Sequence, residues 1–194
     1  MSSTNRSKAR NSHISDYYVT PVDKIEEFIK EFIKYEPDAF NGHILDPCAG
    51  GDKHYPMSYP QALINIGVPP ENIDTIDIRP DSLAKVKGDY LTHDCKGKYN
   101  IIITNPPFVI ARQVIEKALD DIKNDGLVIM LLRLNFFGGE LRRDMWKRQM
   151  PEYSFVYNKR LSFTADGKTD SIEYNHLIWK KDWCPDFCKL KVID

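Results

Sequence analysis

Tyr99-Asn100-Ile101-Ile102-Ile103-Thr104-Asn105-Pro106-Pro107-Phe108 runs from an apolar stretch of strand length directly into a rigid polar turn. The isoleucines read as a buried strand, which places Asn105 at its carboxyl end. An exocyclic amino group on a base is a poor nucleophile because its lone pair is delocalised into the ring. The Asn105 side-chain oxygen and the Pro106 carbonyl can each accept one amino hydrogen, which turns the lone pair toward an electrophile. This is catalysis by positioning and charge stabilisation, and it requires no metal. Pro106 and Pro107 stiffen the backbone, and Phe108 offers a flat face for stacking. The plain alternative is a strand that ends in a turn, since Asn-Pro and Pro-Pro pairs commonly mark turns.

Outward from this stretch, strands and helices alternate. Thr20-Pro21 reads as a helix start with a capping hydroxyl, and Ile25, Phe28, Ile29, Phe32 and Ile33 mark one apolar face that ends near Tyr35. His43-Ile44-Leu45 is a short strand that runs into the turn-rich loop Asp46-Pro47-Cys48-Ala49-Gly50-Gly51-Asp52. Residues 59–66 read as a helix and 73–78 as a strand, and Asp89 follows Gly88 in a third strand. Val114, Ile115, Ala118, Leu119 and Ile122 form a helical stripe, and 127–132 is a continuous apolar run of the kind found in central parallel strands. Segments 153–157 and 174–179 read as two late strands joined as an antiparallel hairpin. The expected fold is α/β and Rossmann-like: a mostly parallel seven-stranded sheet with a C-terminal antiparallel hairpin and helices on both faces. Residues 1–13 read as a flexible segment, 14–183 as one domain and 184–194 as a tail.

A chain of 194 residues with 42% apolar content suits one globular domain. No apolar run is long enough to span a bilayer, and the first thirteen residues lack the apolar stretch of a signal peptide, so a cytoplasmic location is expected and no membrane partner. Cys48, Cys95, Cys184 and Cys188 show no framework spacing. The Cys184/Cys188 pair lacks a second pair at ligand spacing, so free thiols and no metal are expected.

The net charge is −1, yet residues 133–160 hold seven basic side chains against three acidic, a local balance of +4. This suits a phosphate backbone, with Arg142 and Arg143 as candidate contacts. It equally suits a solvated helix face, because Arg142, Arg143, Lys147 and Arg148 fall at helical spacing around Met145 and Trp146.

In an open α/β sheet the ligand lies beyond the carboxyl ends of the strands, near the point where strand order reverses. Asp46 to Gly51, Asp77, Asp89 and Asn105 each follow a successive strand. Gly50 and Gly51 let backbone approach a ligand closely. Asp77 is placed to accept hydrogen bonds from ribose hydroxyls, although a lone Asp at a strand end is also a common turn former.

With Tyr17-Tyr18-Val19-Thr20-Pro21, Asp46-Pro47-Cys48-Ala49-Gly50 and Asn105-Pro106-Pro107-Phe108 in this order, residues 16–181 resemble a class I S-adenosylmethionine-dependent amino-methyltransferase. More narrowly, the chain resembles the small adenine-specific DNA N6-methyltransferases of bacteriophages and prophages. The resemblance implies S-adenosyl-L-methionine as cofactor, held by Tyr18, Thr20, Pro21, Asp46, Cys48, Ala49, Gly50 and Asn105, with Asp77 on its ribose and Asp89 on its adenine amino group. It implies Asn105, Pro106, Pro107 and Phe108 as the catalytic motif, and the cytoplasm of a bacterial host as the location if the chain is phage-encoded. The loop departs from the family where relatives continue Gly-x-Gly and this chain reads Gly50-Gly51-Asp52-Lys53-His54. Little chain remains for a separate target-recognition region. The loop 161–171 is the candidate for target contact, with Phe163 as wedge or stacking group and Lys168 on phosphate, or else an ordinary surface loop.

The expected reaction is direct methyl transfer to adenine N6 in duplex or single-stranded DNA, the base being taken out of any stack. Cys48 is not a nucleophile in it. A homodimer or a protein partner is the expected source of any further recognition. Transfer to cytosine N4, to guanine N2 of ribosomal RNA or to a protein glutamine, and a noncatalytic S-adenosylmethionine- or nucleic-acid-binding module, stand as alternatives.

Overall fold

Short β-branched runs build one sheet in the computed structural model, which describes residues 18–163, 169 and 171–194. The strands are β1 (Ile44–Asp46), β2 (Ile73–Asp77), β3 (Val86–Lys87), β4 (Ile101–Thr104), β5 (Leu127–Arg133), β6 (Tyr153–Tyr157), β7 (Tyr174–Lys180) and β8 (Lys189–Ile193). Their order is β3-β2-β1-β4-β5-β7-β6-β8. The first five pair in parallel, with Ile44 opposite Ile73 and Ile101, and Ile101 opposite Leu127. β7 lies antiparallel between β5 and β6. The sheet therefore has eight strands rather than seven. β8 comes from the segment read as a tail and pairs in parallel with β6, Tyr153 opposite Lys189. Its alternation is masked because it forms an open edge where Leu190 and Val192 are exposed and only Ile193 is buried.

Alternation along the central strands sorts the core into two layers. Ile101 and Ile103 of β4, with Ile129 and Leu131 of β5, face α1 (Val22–Phe32) and α2 (Ser58–Asn65). Ile102, Val128, Met130 and Leu132 face α3 (Ala111–Asp121) and Met145 of α4 (Arg143–Arg148). Ile25, Phe28, Ile29 and Phe32 of α1 have no exposed surface, and burial of each such side chain contributes about 1.5–3 kcal/mol. Ile33, expected on the same face, is exposed because α1 stops at Phe32.

The start of α1 also differs. Its N-cap is Pro21, and no side chain caps the helix. The Thr20 hydroxyl is used elsewhere, as described below. No helix among the described residues is long and apolar enough to cross a membrane.

Candidate active site

Strand order reverses between β1 and β4, and the loops leaving their carboxyl ends part there. A cleft opens at this point. Tyr18, Thr20, Cys48, Ala49 and Gly50 line it, together with Asp77, Asp89, Asn105 and Pro107. Asp46 lies buried beneath it, and Pro106 is buried behind Asn105. Pro21 and Phe108 stand outside its lining.

The loop after β1 is held by the carboxylate that ends β2. Asp77 accepts the Gly50 N–H at 2.7 Å on one oxygen and the Arg79 N–H at 2.8 Å on the other. The Ser82 hydroxyl donates to the Gly50 carbonyl at 2.6 Å. Asp89 caps a single 3-10 turn, Tyr90–Thr92, by accepting the Leu91 N–H at 2.9 Å. Both aspartates therefore organise backbone as well as line the cleft.

Gly50 and Gly51 both have left-handed backbone, with φ of +63° and +73°. A Cβ on Gly51 would lie 2.7 Å from Met57 Cγ and 3.1 Å from the Met57 nitrogen. Gly97 is left-handed too, at φ +67°, but a Cβ there meets nothing within 4 Å. Gly97→Ala is expected to cost only the conformational strain, about 1–2 kcal/mol. Gly51→Ala adds the clash and should lower the thermal midpoint further. Equal losses in the two variants, measured by thermal unfolding, would contradict this.

Asp46 has no exposed surface. Its Oδ1 accepts the Thr104 hydroxyl at 2.6 Å and the Cys48 N–H at 3.2 Å. Its Oδ2 has no partner. Burial pushes the carboxyl up to about 7, opposed by those two hydrogen bonds and reinforced by the charge of Asp77. Burial first, and then the charges of Asp46 and Asp77, push the Cys48 thiol well above its ordinary value. That thiol is a poor source of thiolate.

Asn105 is the other half-satisfied group. Its Nδ2 donates to the Thr20 hydroxyl oxygen at 3.1 Å, and its Oδ1 is buried without a partner. The hydroxyl that the sequence suggested as a helix cap instead orients the amide at the end of β4.

Behind the cleft, His176 is fully buried and stacks on Phe28 with ring centroids 3.9 Å apart. Tyr157 donates its hydroxyl to the Lys24 carbonyl at 2.8 Å, so at His176 Nδ1, 3.2 Å away, it must accept. Nε2 is then the acceptor for the Tyr59 hydroxyl at 2.9 Å. Burial lowers His176 to about 3, which keeps the ring neutral, and the two tyrosine hydroxyls set its tautomer. The chain ties α1 and α2 to β7 and fixes Tyr59, a cleft residue that no local sequence signal singles out. Ile78, Leu91 and Arg79 also line the cleft, each within two residues of a motif aspartate but carrying no sequence signal of its own.

Phe108 belongs to a separate aromatic group beside the cleft. Its ring centroid lies 6.0 Å from those of Tyr18 and Tyr174, and Phe163 packs on Tyr174 at 4.8 Å and on Tyr18 at 5.7 Å. The Arg133 guanidinium covers the Phe108 ring at 4.5 Å. Phe163 thus reaches the site side of the sheet, while Lys168 lies outside the described residues. Arg142 turns inward: its Nε donates to the Phe136 carbonyl at 2.7 Å, its Nη2 to the Gly138 carbonyl, and it stacks on Phe136. Arg143 is exposed at the start of α4.

No family model matches this sequence, and no curated protein matches it. Solved structures do. A Listeria monocytogenes protein provisionally assigned as a class I S-adenosylmethionine-dependent methyltransferase superposes with TM-score 0.60 at 16% identity, over 90% of this chain and 65% of the other. This chain thus spans just under two thirds of that protein. A Pyrococcus horikoshii protein provisionally assigned as an RNA methyltransferase gives 0.62 at 17% identity, over 86% and 88% of the two chains. The modification subunit of a provisionally assigned type I restriction enzyme from Vibrio vulnificus gives 0.59 at 12% identity, over 91% of this chain and 47% of that one. With its parallel half, its late antiparallel β7 and its cleft at the switch point, the chain has the Rossmann-like fold of the class I methyltransferases.

Proposed function

We propose that this chain transfers a methyl group from S-adenosylmethionine to an exocyclic amino nitrogen of a nucleobase, adenine N6 in DNA being the preferred acceptor. The observation that carries the reading is Asn105: its Nδ2 is tied to Thr20, which leaves a buried, unpartnered carbonyl oxygen at the edge of a cleft. A buried acceptor without a partner costs about 1–3 kcal/mol, a cost that an incoming N–H donor relieves.

The cleft residues fit the cofactor. The unpartnered Asp46 Oδ2 and the carboxylate of Asp77 suit a cationic, hydroxyl-bearing ligand, and the left-handed Gly50-Gly51 pair leaves backbone open to close approach. When bound, S-adenosylmethionine supplies an electrophilic methyl group on a sulfonium. Asn105 Oδ1 and the Pro106 carbonyl accept the two amino hydrogens and hold the nitrogen lone pair out of the ring plane. Thr20 keeps the Asn105 amide from rotating. The low dielectric around buried Thr104 and Asp46 strengthens each of these hydrogen bonds. Cys48, with its thiol held protonated, takes no covalent part.

The aromatic rings of Tyr18, Phe108, Phe163 and Tyr174 favour a planar acceptor over an aliphatic amide. The assignments carried by the Pyrococcus and Vibrio proteins concern RNA and a restriction system, which supports nucleic acid as the substrate class. The narrower choice of adenine in DNA comes from the order and wording of the sequence motifs.

The test is incubation with methyl-labelled S-adenosylmethionine and separate pools of duplex DNA, single-stranded DNA and ribosomal RNA, followed by mass spectrometry of the digested nucleosides. N6-methyladenine in a DNA pool is the expected product. Label confined to RNA or to another base would replace the acceptor, and an absence of label despite cofactor binding would remove the reaction.

A further inference from the structure

Arg133 ends β5 at the same edge of the sheet where β4 delivers Asn105, Thr104 being registered against Met130. Its guanidinium carbon stands 4.5 Å from the Phe108 ring centroid. Its Nε is buried without a partner, and the guanidinium makes no hydrogen bond or ion pair among the described residues. The other arginines set into the fold are used differently. Arg79 binds Asp81, Arg112 binds Glu116, Arg142 binds two carbonyls and Arg160 binds Glu173. A guanidinium carries five donors in a fixed plane, and a half-buried one held only by a ring face leaves most of that capacity unspent.

We propose that Arg133 occupies the place of the acceptor base and, when the base enters, caps its outer face to form a sandwich of Phe108, base and guanidinium. The inference rests on the nucleobase-methyltransferase reading of the site. In the free protein the guanidinium lies on the Phe108 face on which the base stacks. Two stacked layers at about 3.4 Å each require roughly 7 Å between ring and guanidinium, so the arginine must withdraw by about 2–3 Å. A long, unanchored side chain allows this. Tyr174, opposite Arg133 in the β5–β7 register, packs beside the Phe108 ring in a tilted contact at 6.0 Å. The exchange swaps a cation–ring contact for two stacking contacts. Arg133 thereby favours a flat aromatic acceptor over a protein amide.

The experiment compares wild type with Arg133→Gln, Arg133→Lys and Arg133→Met, using an adenine-rich single-stranded oligodeoxynucleotide as acceptor. It measures KM and kcat for the oligonucleotide, and the Kd for S-adenosylmethionine. If the plane of the group matters, Met and Lys raise KM about tenfold, Gln raises it less, and the cofactor Kd stays at the wild-type value. The order of the three variants reports on the plane even if all of them lose some stability. Lys near wild type with Gln as poor as Met would show that only charge matters, as for a phosphate contact, and would overturn the sandwich. One common KM for all four proteins would overturn it too. A wild-type protein that methylates no nucleic-acid pool would bring down the nucleobase reading and this inference with it.

Discussion

Asn105→Ala is expected to lower kcat by about 10²–10³-fold while S-adenosylmethionine still binds, the scale seen when one preorganised hydrogen-bonding group is removed from a polar transition state. The effect is large because the amide is prepaid. Its Nδ2 is already bonded to Thr20 at 3.1 Å and its Oδ1 is already buried, so the amide itself need not reorganise when the acceptor nitrogen arrives. Thr20→Val should give a smaller loss in kcat with little change in cofactor affinity, because the acceptor oxygen survives but its orientation is no longer held. Single-turnover methyl transfer with saturating cofactor separates these effects from binding. Wild-type turnover in Asn105→Ala would sink the mechanism.

Asp46→Asn should make the free protein more stable at pH 8, by up to about 4 kcal/mol, and no more stable at pH 4 or below. The folded-state carboxyl titrates near 7, against an ordinary value of 3.8, because it is buried with one oxygen unpartnered. For an acid whose pKa is raised on folding, the native state binds the proton more tightly. Stability from this group is therefore full below the unfolded value and is lost as pH rises from about 4 through about 7. Asparagine keeps the site neutral throughout and can still accept from Thr104 and Cys48. Urea unfolding of both proteins at pH 4, 6 and 8 checks this, and a stability difference that does not change with pH would contradict it. The charge that costs stability above pH 7 also makes the site attractive to a cationic ligand, and the variant should bind S-adenosylmethionine less tightly at pH 8.

The sequence read most clearly where local pattern and burial coincide. Asp46, Asp77 and Asn105 were visible as polar residues closing apolar runs, and Asp89 as a polar residue after Gly88, and the sheet brings all four to one cleft region. Residues 153–157 and 174–179 showed their pairing because both segments carry aromatic and branched apolar residues. β8 escaped because an edge strand with one buried residue has no period to detect. Thr20 misled because a hydroxyl before a proline looks like a cap, and only the fold sets β4 beside it. Arg142 was read by its charge, yet the nearby Phe136 and Gly138 carbonyls bind it.

By itself, then, the sequence determined the alternation of strands and helices, the side of the sheet on which polar loops gather, and the residue types available for chemistry there. These depend on side-chain periodicity and on the backbone limits of proline and glycine, which act over a few residues. The tertiary structure alone decided that, among the described residues, Asp46 Oδ2 beneath the cleft, Asn105 Oδ1 beside Thr20 and the Arg133 Nε on Phe108 are left without partners. Partnering depends on groups brought together from distant parts of the chain. The energy of a buried polar group is set by those neighbours and by the exclusion of water, neither of which is written in the residue or its flanks.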